Sequence, residues 1–353
     1  MKKVLIGMSG GVDSSVGAIL LKEEGYDVYG LTMKLWESED ECIDSGCCSY
    51  SASMDAKRVC NKLGIPHYTI DFKNEFNKCV IRDFIEQYTN CKTPNPCIEC
   101  NKYLKFGAMY NKAKELGIDY IATGHYAKIE YSDKYKRYVL KKSDNLNKDQ
   151  SYVLYNTPLN LLEHILFPLG TFKSKDEIRS IAKENNMSVA SKPDSQDICF
   201  IPDGDYKKFL ENNSNLKEIE GNIVLNGKVI GKHTGLYKYT IGQRKGLGIA
   251  HATPLYVIGF NKDKNELIVG EEKDLYVKSF KVKNYNLLLV DEITDKIKVN
   301  VKTRYKSKEY PATISMEDNF IKVEFDSPQK GVTPGQSAVF YMDDIVLGGG
   351  IIV

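Results

Sequence analysis

The stretch from Val4 to Ser15 restricts the fold most. Val4 to Met8 is a short apolar run of strand type that breaks at Ser9-Gly10-Gly11-Val12-Asp13-Ser14. Apolar residues at helical spacing follow, Val16, Ile19 and Leu20, and the pattern stops at Gly25. A strand, a glycine turn and a helix in that order bring backbone N–H groups and a helix N-terminus to one point. The same alternation continues. "DVYGLTMKLW" reads as a second strand, Ser53–Leu63 as a helix ended by Gly64, and "PHYTIDF" as a third strand. "FNKCVIRDFIEQY" and "KYLKFGAMYNKAKELG" read as helices and "DYIATGHYAKI" as a fourth strand. This order predicts an α/β fold: a doubly wound parallel sheet with helices on both faces.

The texture changes from about Asn213, where glycine becomes frequent and short alternating runs replace helices. After about Leu275 it is all β. "KIKVNVKTRYK" (Lys296 to Lys306) alternates strictly, "ATISMEDNFIKVEF" is a hairpin turning at Glu317–Asn319, and two more strands flank Asp343–Asp344. Five or six short strands at such spacing suggest a small closed barrel. The expected organisation is an α/β domain over 1–205, a small central β-containing domain over 206–273 and a C-terminal β-barrel over 274–353.

Bulk properties exclude some classes. At 353 residues, 42% apolar and 27% charged, the chain is neither disordered nor membrane-embedded. The apolar run near the N-terminus ends too soon for a secretory core, and no run approaches the ~18 residues of a membrane helix. The formal net charge of +2 does not advertise a nucleic-acid binder, although a local basic face can hide in an average. Nine scattered cysteines fit a reducing cytoplasm, where thiols stay reduced or serve chemistry.

The glycine loop lacks the Lys-Ser/Thr ending of a Walker loop. Glycines let N–H groups approach oxygens, and the helix end adds partial positive charge, so the segment suits phosphate. Its Ser-Gly-Gly-x-Asp-Ser form resembles the pyrophosphatase loop of ATP-dependent adenylating enzymes, which split ATP into AMP and pyrophosphate. Ser9, Gly10, Gly11, Asp13, Ser14 and Ser15 take that role. A bare glycine turn with an aspartate cap is the bland alternative, and the full hexapeptide between strand and helix argues against it. The loop alone does not choose among carboxylate, carbonyl and ureido oxygens as the group activated.

"TPNPCIECNKY" carries a second feature, the Cys97–Cys100 pair. Spacing alone leaves a zinc half-site, a redox dithiol, a cluster pair or a structural role open; Cys47–Cys48 and Cys91 would complete a zinc set only irregularly. A helix following the prolines would depress a thiol pKa. Cys60 and Cys79, on apolar helix faces, read as structural. A third thiol, Cys199, stands in "KPDSQDICFIP" beside Asp194 and Ser195.

With "GMSGGVDSS", "LTMKLW", "LGIPHY", "TPNPCIECNKYLKFG", "IATGHYAK", "KDQSYVLY", "KPDSQDICFIP", "YTIGQRKGLG" and "TPGQSAVFY…VLGGGII" in this order, the chain resembles the tRNA-specific 2-thiouridylases from residue 7 to its end. These enzymes place sulfur on position 2 of the wobble uridine. The resemblance implies ATP over Gly7, Met8, Ser9, Gly10, Gly11, Val12, Asp13 and Ser14, with Met33 and Gly124 near the adenosine. ATP would adenylate the uracil position-2 oxygen. Cys199 would carry sulfur as a persulfide and Cys100 would be the partner nucleophile, leaving a transient Cys100–Cys199 disulfide. Mg²⁺ is expected with ATP, held mostly by phosphates and by Asp13. The tRNA contacts implied are Asn95, Pro96 and Cys97 around the target base, then His125, Lys148, Asp149, Gln150, Arg304, Tyr305 and Gln336. Outside the family, His125 would read as a core histidine.

The same resemblance implies tRNAs for Lys, Glu and Gln as substrates, and a cysteine desulfurase or sulfur-relay protein as donor. Some members have aspartate where Cys97 stands, so Cys97 is no general catalytic requirement. Its presence makes three thiols, Cys97, Cys100 and Cys199, which raises a [4Fe–4S] cluster as an alternative route for the same reaction. Many members carry glycine in place of Cys91.

A basic strand face suits the RNA. Lys278–Tyr310 holds nine Lys/Arg against four Asp/Glu. Strict alternation would put Lys296, Lys298, Lys302, Arg304 and Lys306 on one face and Ile297, Val299, Val301 and Tyr305 on the other. Such a face gives phosphate contacts, which supply affinity with little sequence choice. A solvated barrel face is the plainer reading of the same pattern. "GQRKG" adds a compact basic loop.

Overall fold

In the computed structural model, residues 1–36, 50–193 and 198–353 are described. Cys47–Cys48, Asp194 and Ser195 therefore lie outside the described residues. The chain divides into two compact units: Met1–Ile81 with Pro96–Gly204 and Asp344–Val346, and Arg82–Asn95 with Asp205–Asp343 and Leu347–Val353.

In the first unit, β1 (Lys3–Gly7) runs through the glycine turn into α1 (Val12–Glu23). β2 (Asp27–Lys34), α2 (Tyr50–Leu63) and β3 (His67–Asp71) follow. A composite helix begins with α3 (Lys73–Phe76) and π1 (Asn77–Ile81); its continuation, α4 (Arg82–Thr89), belongs to the second unit. A second composite helix consists of α5 (Pro96–Glu99), π2 (Cys100–Ala108) and α6 (Met109–Glu115). Then come β4 (Tyr120–Ala122), the hairpin β5 (Ala127–Ser132) and β6 (Arg137–Lys142), α7 (Ser151–Leu154), β7 (Ile165–Leu166) and α8 (Lys175–Glu184).

The sheet order is β3-β2-β1-β4-β7, and its pairings are parallel. Both faces are covered, so Val4, Leu5 and Ile6 are all fully buried and the strand reads as a continuous apolar run. Val16 and Ile19 of α1 and Val59 and Cys60 of α2 join Val4 and Ile6 in one core. The Cys60 thiol is pushed up to about 12 by burial. It sits over Gly30 of β2, where a β-carbon would come within 2.6 Å of the sulfur.

The expected fourth strand, "DYIATGHYAKI", is two strands in different sheets. β4 ends at Ala122, and the Thr123–Tyr126 turn redirects the chain into the β5–β6 hairpin. The two helical predictions hold, with π-helical turns inside both. Apolar spacing over so few residues does not separate π from α turns, because a π turn only inserts one extra residue into an i, i+3, i+4 pattern.

The second unit holds α4, stacked on α9 (Tyr206–Asn213) through Tyr88–Tyr206 at 4.8 Å and Phe84–Phe209 at 6.1 Å between ring centres. β8 (Gly221–Leu225), β9 (Lys228–His233), β10 (Tyr256–Asn261) and β11 (Glu266–Gly270) form a sheet in the order β10-β11-β8-β9. β12 (Val277–Leu287), β13 (Ile297–Lys302), β14 (Tyr310–Glu317), β15 (Phe320–Gln329), β16 (Ser337–Met342) and β17 (Ile345–Ile352) run in the order β12-β15-β14-β13-β16-β17. The β12–β17 pairing closes the barrel. The hairpin at Glu317–Asn319 and the turn at Asp343 stand as read, with Asp318 and Asp343 both at φ 55°. The strand read over Lys296–Lys306 is shorter. It ends at Lys302, and Arg304 to Lys306 lie in the turn beyond it, so the basic alternation covers only part of the expected face.

Candidate active site

In an open parallel sheet, ligands bind beyond the carboxyl ends of the strands where the strand order reverses. Here β1 lies between β2 and β4, so the loop after β1 and the turn after β4 flank that point. Gly124, in the β4 turn, abuts the loop so closely that a β-carbon would lie 3.0 Å from the Asp13 carbonyl carbon and the Ser14 amide. Gly10 is left-handed at φ +67° and lies against the Ala52 backbone of α2.

The loop is tied by its serines. The Ser9 N–H donates to Ser14 Oγ at 3.2 Å, and the Ser14 and Ser15 hydroxyls donate to the Gly11 carbonyl at 3.2 and 2.8 Å. Gly11 caps α1 with no side chain bonded across the helix end, so its N-cap residue does not satisfy the first N–H groups of the helix. Met8 and Val12 are buried as supports, Gly7 packs near Met109, and Met33 is half-buried near the carboxyl end of β2.

Two lysines that the sequence did not single out converge on this loop. Lys175 Nζ, at the start of α8, donates to Asp13 Oδ1 at 2.5 Å, and the Tyr126 hydroxyl donates to the same oxygen at 2.7 Å. Lys192 Nζ donates to the Gly10 carbonyl at 3.1 Å and to Asp55 Oδ2 at 3.1 Å. Lys192 was in view inside "KPDSQDICFIP". Lys175 had no local signal, because only the packing of α8 on α1 brings it here.

Gln150 fixes Tyr126, its Oε1 accepting the Tyr126 N–H at 2.9 Å. Asp149 is buried and accepts from the Ser143 and Ser151 amides and the Ser151 hydroxyl, at 3.0, 3.2 and 2.7 Å. The Lys148 N–H donates to the Asn145 carbonyl at 3.0 Å. The Lys148–Gln150 segment is thus a tight turn built around the Asp149 carboxylate.

His125 is buried, with Nδ1 at 2.7 Å from Thr123 Oγ1 and Nε2 at 3.3 Å from Lys105 Nζ. Burial, and secondarily the Lys105 charge, holds its pKa well below the ordinary histidine range. An ammonium only donates, so Nε2 accepts and the ring proton sits on Nδ1.

Cys100 is the first residue of π2 and is buried, Cys97 is exposed, and Cys199 is half-buried. π2 packs against α3, and Phe200, next to Cys199, sets its ring 5.6 Å from that of Phe76 in α3. The segments carrying Cys100 and Cys199 thus rest on the same short helix. Among the described residues, no three His, Cys, Asp or Glu side chains gather as a metal site. Cys97, Cys100 and Cys199 are not gathered into such a group, so the [4Fe–4S] alternative gains no support from the described residues. Asp13 is the carboxylate on the loop itself.

Other expected RNA contacts fall in the second unit. Gln336 Nε2 donates to the Thr93 and Pro94 carbonyls at 2.8 and 3.3 Å and so straps the segment ending in Asn95. Arg304 NH2 donates to the Ile241 carbonyl at 3.1 Å and to Thr333 Oγ1 at 2.5 Å. Lys302 Nζ lies 5.8 Å from the centre of the Tyr305 ring. Pro96 is buried at the start of α5, in the first unit.

A nucleotide-type loop at the switch point of a parallel sheet, followed by a small sheet and a closed barrel, defines an α/β enzyme of the HUP class. The comparisons agree. Residues 2–203 match the family described as tRNA methyl transferase HUP domain, 207–271 a tRNA methyl transferase PRC-barrel domain, and 277–352 an aminomethyltransferase beta-barrel domain. The chain is 51% identical to the tRNA-specific 2-thiouridylase MnmA of Acetivibrio thermocellus, covering 99% of each chain. It is also 51% identical to that of Clostridioides difficile, covering 99% of this chain and 98% of the other. The chain belongs to the tRNA-specific 2-thiouridylase family. NMN synthetase from Francisella tularensis aligns at a TM-score of 0.34 and 18% identity over 54% of this chain and 66% of that one, too loosely to bear on the site. Among the described residues, no helix is long and apolar enough to cross a membrane.

Proposed function

We propose that this chain is an ATP-dependent sulfurtransferase that converts the wobble uridine of tRNA to 2-thiouridine. The observation that carries the reading is the convergence of Lys175 and Lys192 on the Ser9–Ser15 loop at the sheet's switch point. Two ammonium groups, a helix N-terminus and glycine N–H groups suit a departing pyrophosphate. The matching family's description speaks of methyl transfer. A methyl donor needs neither a pyrophosphate loop nor paired thiols, so the site favours adenylation followed by sulfur transfer.

In this mechanism the uracil position-2 oxygen attacks the α-phosphorus of ATP. The α–β bridge breaks, pyrophosphate leaves, and the N3 proton goes to solvent; Mg²⁺, with Asp13 as its protein ligand, would offset the charge on the phosphates. The ring carbon now carries AMP as a leaving group. Cys199 presents sulfur as a persulfide loaded by an external donor, a desulfurase or a relay protein. The Cys100 thiolate attacks Cys199 Sγ and breaks the S–S bond, either releasing hydrosulfide that displaces AMP or freeing sulfur already attached to the ring. Either order ends with 2-thiouridine, AMP and a Cys100–Cys199 disulfide, which an external dithiol reduces with two electrons.

Gly7 to Ser14, Met33 and Gly124 bind ATP in this reading. Asn95, Pro96, Cys97, His125, Lys148 to Gln150, Arg304, Tyr305 and Gln336 serve the tRNA, with those for Lys, Glu and Gln as substrates, in the cytoplasm. The experiment is tRNA-stimulated ATP–pyrophosphate exchange together with mass spectrometry of the wobble nucleoside. Cys100→Ser and Cys199→Ser retain exchange and lose thiolation. Normal thiolation by either variant overturns the two-thiol scheme, and exchange that ignores tRNA overturns the assignment of the activated oxygen.

A further inference from the structure

The Thr123–His125 turn has two sides. On one, Gly124 packs against the Asp13–Ser14 backbone. On the other, His125 Nε2 accepts from Lys105 Nζ at 3.3 Å, while Thr123 Oγ1 fixes the ring through Nδ1 at 2.7 Å. The ring is walled by Phe106 and Phe167, at 6.1 and 5.8 Å between centres. His125 is therefore a rigid, neutral acceptor, aimed at one ammonium.

That ammonium belongs to π2, the segment of the second composite helix that begins with Cys100. In a π-helix the repeat joins residues i and i+5, so Lys105 lies one turn from Cys100. Helical side chains lean toward the N-terminus, so Lys105 covers the turn on the Cys100 side of its own backbone. The other nearby lysine, Lys102, is turned elsewhere, with Nζ 5.1 Å from the centre of the Tyr103 ring. Long lysine side chains ordinarily sample many rotamers. A neutral, buried histidine holding one of them fixes a charge in place.

We propose that Lys105, pinned by neutral His125, supplies the fixed positive charge beside Cys100, holding that thiol as the thiolate ready to attack. His125 acts through Lys105 and is a positioning residue; this task sits beside the RNA contact expected of it. The inference rests on Cys100 being the nucleophile of the proposed reaction.

The test compares alkylation of Cys100 by iodoacetate and by iodoacetamide in the full-length protein, without ATP or tRNA, read on the Cys100 peptide by mass spectrometry. The reagents are nearly equal in size, so access to the buried thiol cancels in their rate ratio and charge remains. Lys105→Met lowers the iodoacetate/iodoacetamide ratio by roughly threefold or more, and slows both reactions. Lys105→Arg keeps the ratio near wild type, His125→Gln gives an intermediate value, and Lys102→Met leaves it unchanged. An unchanged ratio in Lys105→Met, or an equal fall in Lys102→Met, overturns the proposal. Lys105→Gln serves as the neutral variant if the methionine form does not fold. Because no turnover is needed, failure here is separate from failure of the two-thiol scheme, which the Cys100→Ser thiolation assay decides.

Discussion

Replacing Gly10 by alanine tests whether the loop's shape, and not merely its composition, makes the nucleotide site. The backbone there has φ +67°, a left-handed conformation that costs an L-residue about 1–2 kcal/mol. The added β-carbon would fall on the Ala52 carbonyl oxygen and within 2.8 Å of its carbon, and both are main-chain atoms of α2 that cannot rotate away. Overpacking of that kind costs typically about 1–3 kcal/mol. Together the terms give about 2–5 kcal/mol, which the loop escapes only by moving off α2. Gly11 is the built-in control. Its φ of −101° suits any residue, and a β-carbon there meets only the Ser9 hydroxyl, at 3.4 Å.

Gly10→Ala therefore lowers the thermal midpoint by roughly 4–20 °C, at 2–4 °C per kcal/mol for a unit of this size, and abolishes measurable ATP binding by calorimetry. Gly11→Ala leaves the midpoint within about 2 °C of the parent, since surface changes without a clash are small. The two melts and two titrations are read side by side. A Gly10→Ala protein that melts and binds ATP like the parent would refute the reasoning, because the contact with Ala52 would then not define the loop.

Gln336→Ala removes the two donors that strap the Thr93–Pro94 carbonyls. It costs about 1 kcal/mol in urea unfolding and raises KM for tRNA while KM for ATP stays put. Cys91 has φ 55° at the end of α4, so Cys91→Gly is more stable than Cys91→Ala by about 1 kcal/mol, the reverse of the usual order, as chemical denaturation of the two variants will read. Burial, the largest cause in each case, holds His67, His125 and His233 below the ordinary value of 6.5. The unfolded chain then binds more protons than the fold in that range. Stability is full above about pH 6.5 and falls as pH drops below it, and His125→Gln loses less between pH 7.5 and 5.5 in paired melts.

The sheet was legible because each parallel strand is buried on both faces and so appears as an apolar run between turn signals, as with Val4–Ile6 before Ser9. The barrel was legible for the opposite reason: one wet face and one dry face give alternation, as in Val299 and Val301. What could not be read is what depends on the chain's return in space. Nothing near Lys175 in sequence points to Asp13, 162 residues away. Alternation carried the reading of β13 past Lys302, since a turn with alternating charges looks like more strand. Cys91 is a similar case: its resemblance to a glycine position had no local cause until the backbone showed φ 55°.

The candidate site divides along the same line. The loop's glycines and serines are local chemistry, and a nine-residue window contains all of them. The groups that would act on a substrate there come from elsewhere: Lys175 from α8, Lys192 from the segment leading to Cys199, Lys105 and Cys100 from one turn of π2. The Thr123–His125 turn makes these parts interdependent. Its Gly124 leaves no room for a side chain against the loop, and its His125 can accept a bond only while neutral. A shift of that turn would move the loop backbone and the Lys105 ammonium together. Adenylation and the readiness of the thiol would then respond to one small displacement, so substitutions at Gly124 should impair ATP binding and Cys100 reactivity in the same variant, whereas a loop change such as Gly10→Ala should impair the first alone.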